Sequence, residues 1–212
     1  MKKIIFINFI ILLVIQNLSF GGKFEISQKN NLLKDIPFSN LDNSLNAVVE
    51  ITSGSIEKWS INKNGNILQR EFKEGKPRTI DYIGYPGNYG FFPQTYLDKN
   101  EGGDGDAVDV LIIGKRLKKG SVVRVKILGM LRVKDDGLID NKVIAVLEDS
   151  KFSKNIRSLN KFEENYPGVL QIIETWFTNY KGQKMEIEGF VEKNIANQFL
   201  TRSHQSFLEN EK

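Results

Sequence analysis

The chain has 212 residues, 40% of them hydrophobic and 26% charged, a balance close to the globular average that excludes a disordered tail or a fibrous repeat and fits a single domain. It has no cysteine and one histidine, His204, which excludes a disulfide framework, a thiol nucleophile, a cysteine-built metal site and a multi-histidine centre. Its chemistry must therefore run on carboxylates, lysines, arginines and tyrosines.

Residues 1–21 have the layout of a secretory signal peptide. The start is basic (Lys2, Lys3), Ile4 to Ile15 is apolar apart from Asn8, and small residues follow at Ser19, Gly21 and Gly22. The apolar run falls short of the ~20 residues that a spanning helix needs, so the expectation is cleavage after Gly21, export, and no lasting membrane insertion. Loss of Lys2 and Lys3 leaves 28 basic against 26 acidic residues and lowers the net charge from +4 to +2. That mild, mixed charge does not point to a nucleic-acid partner.

Residues 22–212 read as one domain. An irregular lead-in, 23–45, is followed by short β-type runs at 47–51, 58–61 and 67–72, separated by turn signals such as Asn64-Gly65. A second strand block covers 108–113, 121–133 (with a possible break at Gly129) and 142–147. Helical spacing then takes over at Ile156, Leu159 and Phe162, and again from Val169 to Phe177 after Pro167. One more strand is expected near 185–191, and a C-terminal helix over 192–209. The fold class is mainly β: a small, twisted, closed β-barrel with two or more external helices. Trp176 and Phe177 are expected in the core, and His204 on the surface of the last helix.

The densest chemistry is Gly102-Gly103-Asp104-Gly105-Asp106-Ala107-Val108-Asp109-Val110. In a plain strand Asp109 would face away from Asp104 and Asp106, but the glycines permit a curl that turns all three inward. Crowded carboxylates need cations, and hard divalent ions suit oxygen ligands. A solvated acidic turn does not account for Asp109 inside the apolar run to Ile113, where an unpaired carboxylate is costly. An EF-hand fails on spacing, since position six from Asp104 is Asp109 and position twelve is Lys115.

A second acidic group, Asp135 to Lys142, reads as a hairpin that sets Asp140 and Lys142 on one face at the entry to a strand. Between the two lies Gly84-Tyr85-Pro86-Gly87-Asn88-Tyr89-Gly90, a rigid segment whose tyrosine hydroxyls could donate to an anion.

Taken together, these segments resemble the soluble family I inorganic pyrophosphatases. The Asp-Gly-Asp-Ala-Val-Asp-Val run at 104–110 matches that family's Asp-x-Asp-x-x-Asp pattern. Glu50, Lys58, Tyr85-Pro86 with Asn88-Tyr89-Gly90, Asp135 with Asp140 and Lys142, and Tyr180-Lys181 follow in register over a core of residues 46–190. The resemblance implies the OB-like pyrophosphatase barrel, hydrolysis of pyrophosphate by a metal-activated water, and several Mg²⁺ ions, with Mn²⁺ or Zn²⁺ as substitutes. It also implies a homo-oligomer. It assigns metal binding to Asp104, Asp109, Asp135, Asp140 and Glu50, and the general base to Asp106. Lys58, Tyr89, Lys142, Tyr180 and Lys181 would bind the phosphoryl groups, with Lys184 assisting. Of two arginines, Arg70 and Arg78, the spacing to Tyr85 favours Arg78 as the phosphate ligand. Ser60 stands where the family usually has an acidic residue, and Ala107 replaces a common proline. The alternative from another class is an exported OB-like module that binds phosphate or nucleic acid without hydrolysis; it would need a basic groove with stacking aromatics.

Overall fold

A computed structural model describes residues 24–182 and 185–210; the expected signal peptide and Lys184 lie outside these. In chain order the strands are β1 (Glu25–Ser27), β2 (Leu45–Ile51), β3 (Trp59–Ile61), β4 (Ile67–Arg70), β5 (Phe72–Lys73), β6 (Lys76–Pro77), β7 (Asn88–Phe91), β8 (Asp109–Ile113), β9 (Val122–Asp135), β10 (Leu138–Ile139), β11 (Lys142–Leu147) and β12 (Met185–Glu192). Four helices, α1 (Lys151–Asn155), α2 (Leu159–Asn165), α3 (Val169–Asn179) and α4 (Lys193–Asn210), occupy the second half of the chain.

Five strands close a ring: β2 pairs β7, β7 pairs β8, β8 pairs β11, β11 pairs β9, and β9 returns to β2. Closure removes the free edges that an open sheet would expose. Only β8–β11 is parallel. Strand β9 can serve two neighbours because it is long. Its lower half pairs β2, and its upper half carries β12 and the β10 hairpin. The expected break at Gly129 is a register shift rather than an end: Ile144 faces Gly129 while Ala145 faces Ile127, so the strand runs on through an irregularity.

The central strands are buried on both faces, which explains their continuous apolar sequences. One core takes Ile51, Tyr89, Leu111 and Ile144 together with Phe162, Trp176 and Phe177 of α2 and α3. The other takes Val49, Val110, Val143 and Ala145 beneath Ala196 and Leu200 of α4. Alternate residues of β8 and β11 thus serve opposite cores. Trp176 and Phe177 are buried as expected. His204 is half-buried rather than superficial; it stacks on Phe38 at 4.5 Å and its Nδ1 lies 2.6 Å from the Gln94 carbonyl.

Gly90 faces Val49 across the β2–β7 pair, and a Cβ there would overlap the Val48 carbonyl. Gly90→Ala must therefore push β7 off β2. The expected loss is about 3 kcal/mol, read as a fall of roughly 6–12 °C in thermal midpoint; an unchanged midpoint would contradict this packing.

Candidate active site

Asp109 opens β8 and Lys142 opens β11, and the parallel register sets them side by side. Both share strand parity with Leu111 and Ile144, so they point along the same face as the first core, at its open end. Tyr89, opposite Leu111 on β7, is the diagonal neighbour of Asp109 on that face. Its hydroxyl donates to Asp109 Oδ2 at 2.5 Å, and the Lys142 ammonium donates to the same oxygen at 2.5 Å. Lys142 also donates to Asp140 Oδ1. The ammonium is almost wholly buried, 1% exposed.

Glu50 reaches the same cavity through a bulge. Val49 faces Gly90 and Ile51 faces Tyr89, so Glu50 is the unpaired extra residue of β2, a device that re-aims a side chain. Its Oε1 accepts from the Ile61 amide at 2.6 Å.

The acidic loop curls as its glycines suggested. Gly102 and Gly105 have φ of 85° and 89°, and the Gly105 amide donates to the Leu97 carbonyl at 2.9 Å. Asp104 Oδ1 accepts from the Asp106 amide at 2.9 Å, which leaves the Asp106 carboxyl facing the cavity. Asp135, at the end of β9, receives the Lys181 ammonium. Tyr180 follows α3 and stacks on Trp176 at 4.4 Å and 11°. Trp176 in turn donates to the Ile83 carbonyl at 2.8 Å and packs on Tyr85.

One cavity of about 860 Å³ is lined by every one of the expected site residues: Glu50, Lys58, Arg78, Tyr89, Asp104, Asp106, Asp109, Asp135, Asp140, Lys142, Tyr180 and Lys181. Arg70 is not among its walls. That side chain is buried, with Nη1 aimed at the Lys58 carbonyl at 3.4 Å, because even spacing along β4 turns it into the core. The cavity also takes in Glu71, Lys63 and Lys99, which the sequence reading did not single out. No motif marked them: Lys63 and Glu71 sit in the polar segments that flank β3 and β4, and Lys99 lies just ahead of the acidic loop.

The titration behaviour separates these carboxyls. Burial raises Glu50 to about 8, with Lys58 and the Ile61 amide opposing. Asp140 is raised to about 6 by burial, with Lys142 opposing and Asp109 adding to the rise. For Asp109 burial acts upward, but Lys142 and Tyr89 outweigh it and hold the group below the ordinary carboxylate range. Asp106 is raised by burial and by Asp104 and Asp109. Lys58 is held charged, since Tyr85, Glu71 and Glu50 outweigh its burial.

The donor set fits hard divalent cations: carboxylate oxygens throughout, with no sulfur or imidazole. Among the described residues no three carboxyls as placed stand ready to ligate one ion, because the Lys142 ammonium stands between Asp109 and Asp140. Burial is the main reason that Glu50, Asp106 and Asp140 are raised, and a cation bound beside them would favour their ionised forms.

The family model for inorganic pyrophosphatase matches residues 47–208. The chain is 34% identical over 173 residues to the inorganic pyrophosphatase of Mus musculus, covering 75% of this chain and 60% of that protein. It is 32% identical over 197 residues to the probable inorganic pyrophosphatase of Plasmodium falciparum, covering 82% and 52%. It thus spans roughly half to two thirds of the length of these relatives. Among solved structures, the type I inorganic pyrophosphatase of Toxoplasma gondii superposes with a TM-score of 0.80 at 29% identity, over 84% of this chain and 88% of that one. The N-terminally truncated vacuolar soluble pyrophosphatase of Trypanosoma cruzi in complex with PPi gives 0.77 at 28% identity, over 88% and 77%.

Replacing Lys142 by Met would leave Asp109 and Asp140 facing each other without a cation. The expected cost is about 3–5 kcal/mol, measured by urea unfolding in chelator at pH 8. The deficit should shrink toward pH 5, where a proton on Asp140 removes one of the two charges. An equal deficit at both values would count against the charge argument.

Proposed function

The chain belongs to the inorganic pyrophosphatase family, and from that premise we propose that it hydrolyses inorganic pyrophosphate to two phosphates. The observation that carries this reading is the mixed lining of the cavity, which has seven carboxylates and seven lysine or arginine side chains. A bare polyanion would meet the carboxylates, and a bare metal ion would meet the ammonium groups. A metal–pyrophosphate complex answers both, in keeping with phosphoryl transfer as mainly positioning and electrostatic stabilisation.

Divalent cations, Mg²⁺ or in its place Mn²⁺ or Zn²⁺, held by Asp104, Asp109, Asp140, Asp135 and Glu50, would neutralise phosphoryl oxygens and bring the pKa of water toward neutrality. Asp106 acts as the general base. Burial and its two aspartate neighbours raise its proton affinity, while its carboxyl stays open to the cavity. As the water oxygen bonds to one phosphorus, Asp106 takes the water proton. The bond from that phosphorus to the bridging oxygen breaks, and its electron pair leaves with the second phosphate. Lys58, Arg78, Lys142, Tyr180 and Lys181 hold the phosphoryl oxygens. Lys142 has two N–H groups engaged by Asp109 and Asp140, so its third is free for the substrate. The Tyr89 proton is committed to Asp109; this tyrosine orients the carboxylate and reaches a phosphoryl group only if that bond is exchanged.

Residues 1–21 support export, and amino-terminal sequencing of chain recovered from outside the cytoplasm should begin at Gly22. The catalytic reading is tested by phosphate release from pyrophosphate with Mg²⁺ and with chelator. Turnover should require the metal, and Asp106→Asn should reduce kcat by roughly 10²–10⁴. Folded, metal-replete chain that binds pyrophosphate but releases no phosphate would return the binding-module alternative.

A further inference from the structure

Glu71 lies between β4 and β5, in none of the motifs that carry the family resemblance. Its backbone closes a ring with two residues of the phosphate-facing wall. The Glu71 amide donates to the Lys58 carbonyl at 3.1 Å, the Arg78 amide donates to the Glu71 carbonyl at 2.7 Å, and the Lys58 amide donates to the Arg78 carbonyl at 3.2 Å. The side chain repeats this connection. Oε2 accepts from Arg78 Nη1 at 2.7 Å, and Oε1 lies 3.8 Å from Lys58 Nζ. The three side chains are 18%, 26% and 31% exposed for Lys58, Glu71 and Arg78, well withdrawn from the fully solvated condition in which ion pairs contribute little.

We propose that Glu71 is a positioning residue that holds Lys58 and Arg78 together as one phosphate-binding unit. The inference rests on the pyrophosphate reading and deepens it. Two cations that must grip the same polyanion repel each other before it arrives, and each has a long side chain with rotamer freedom to lose. A carboxylate between them offsets the repulsion and fixes both heads. Both Glu71 oxygens face cations, whereas Asp109, Asp135 and Asp140 each meet an ammonium through one oxygen. Arg78 has a planar fork of donors; with Nη1 on Glu71 its remaining N–H groups keep one orientation. Lys58 is braced from other sides as well, by the Tyr89 ring 5.4 Å beneath its ammonium and by Arg70 against its carbonyl. Arg78 has no such second brace among the described residues, so the effect of Glu71 falls mainly on Arg78.

The test uses the full chain with pyrophosphate as the probe, read both by steady-state hydrolysis and by calorimetric titration. Glu71→Gln keeps the shape and removes the charge. The expected result is a rise of about tenfold in KM and in Kd, equivalent to about 1.4 kcal/mol, with a smaller change in kcat and little change in thermal midpoint. Glu71→Asp keeps the charge and should restore most of the affinity. In an Arg78→Ala background the Glu71→Gln change should add less than about twofold, because the group it acts through is gone. The proposal is overturned if Glu71→Gln leaves KM and Kd unaltered, or lowers only the thermal midpoint, or costs as much in the Arg78→Ala background as in the parent. If the parent chain binds pyrophosphate without cleaving it, the hydrolysis reading fails while the titration still decides on Glu71. A parent chain that neither binds nor cleaves it overturns both.

Discussion

The buried ammonium of Lys142 between Asp109 and Asp140 is the contact on which the rest of the site depends. Withdrawing three charged groups from water is expensive, and such a cluster persists only when its geometry is good and its hydrogen bonds are made. The geometry here comes from the one parallel pairing in the barrel, which sets residue 142 beside residue 109. An antiparallel β8–β11 pair would have left these two side chains at opposite ends. The unusual strand order therefore has a chemical consequence: it brings a carboxylate from the acidic loop to a lysine and a second carboxylate contributed from beyond the β10 hairpin.

Closure of the barrel supplies the remaining constraint. Because the strands of the ring are packed on both faces, a charged side chain can enter only at an open end or where the ladder is broken. Asp109 and Lys142 use the first route, being the opening residues of their strands. Glu50 uses the second, since a bulge frees it from pairing while Val49 and Ile51 remain in separate cores. Tyr180 arrives by a third means. It is carried past the end of α3 and held by a stack of aromatic rings that runs through Trp176 and Tyr85 to Tyr89. Those rings are core residues and at the same time the support of the site wall.

Much of this was legible in the residues because local chemistry dictated it. Short β-type runs between turn signals announced the strands, and an aspartate in the run Val108 to Ile113 announced a buried carboxylate that required a partner. The glycines at 102 and 105 announced the curl. What stayed hidden depended on distant pairing. No local pattern indicates that Glu50 lies in a bulge, since the bulge exists only relative to Gly90 and Tyr89 on another strand. Arg70 and Arg78 could be ranked by spacing, but their separation came from the parity of β4, which points Arg70 inward. Glu71 was invisible for a related reason: its two cations are 13 residues away on one side and 7 on the other, and only the ring of backbone bonds brings them together. His204 was misjudged because a lone histidine on a helix says nothing of the Phe38 ring that covers it.

The carboxyls of the cavity also divide by environment, and that division bears on how a chain without cysteine, and with its one histidine packed against Phe38, can move a proton. A group that must stay ionised benefits from cations and donors close at hand, and a group that must take up a proton benefits from their absence. Asp109, with Lys142 and Tyr89 on one oxygen, is of the first kind. Asp106 is of the second: no lysine or arginine bonds its carboxyl among the described contacts, and the neighbours that act on it most are Asp104 and Asp109, with Lys63 and Lys99 opposing. Two aspartates three residues apart thus acquire opposite characters because one begins a parallel strand and the other ends a glycine turn. This supports the base assignment for Asp106 on physical grounds that do not depend on the family motif.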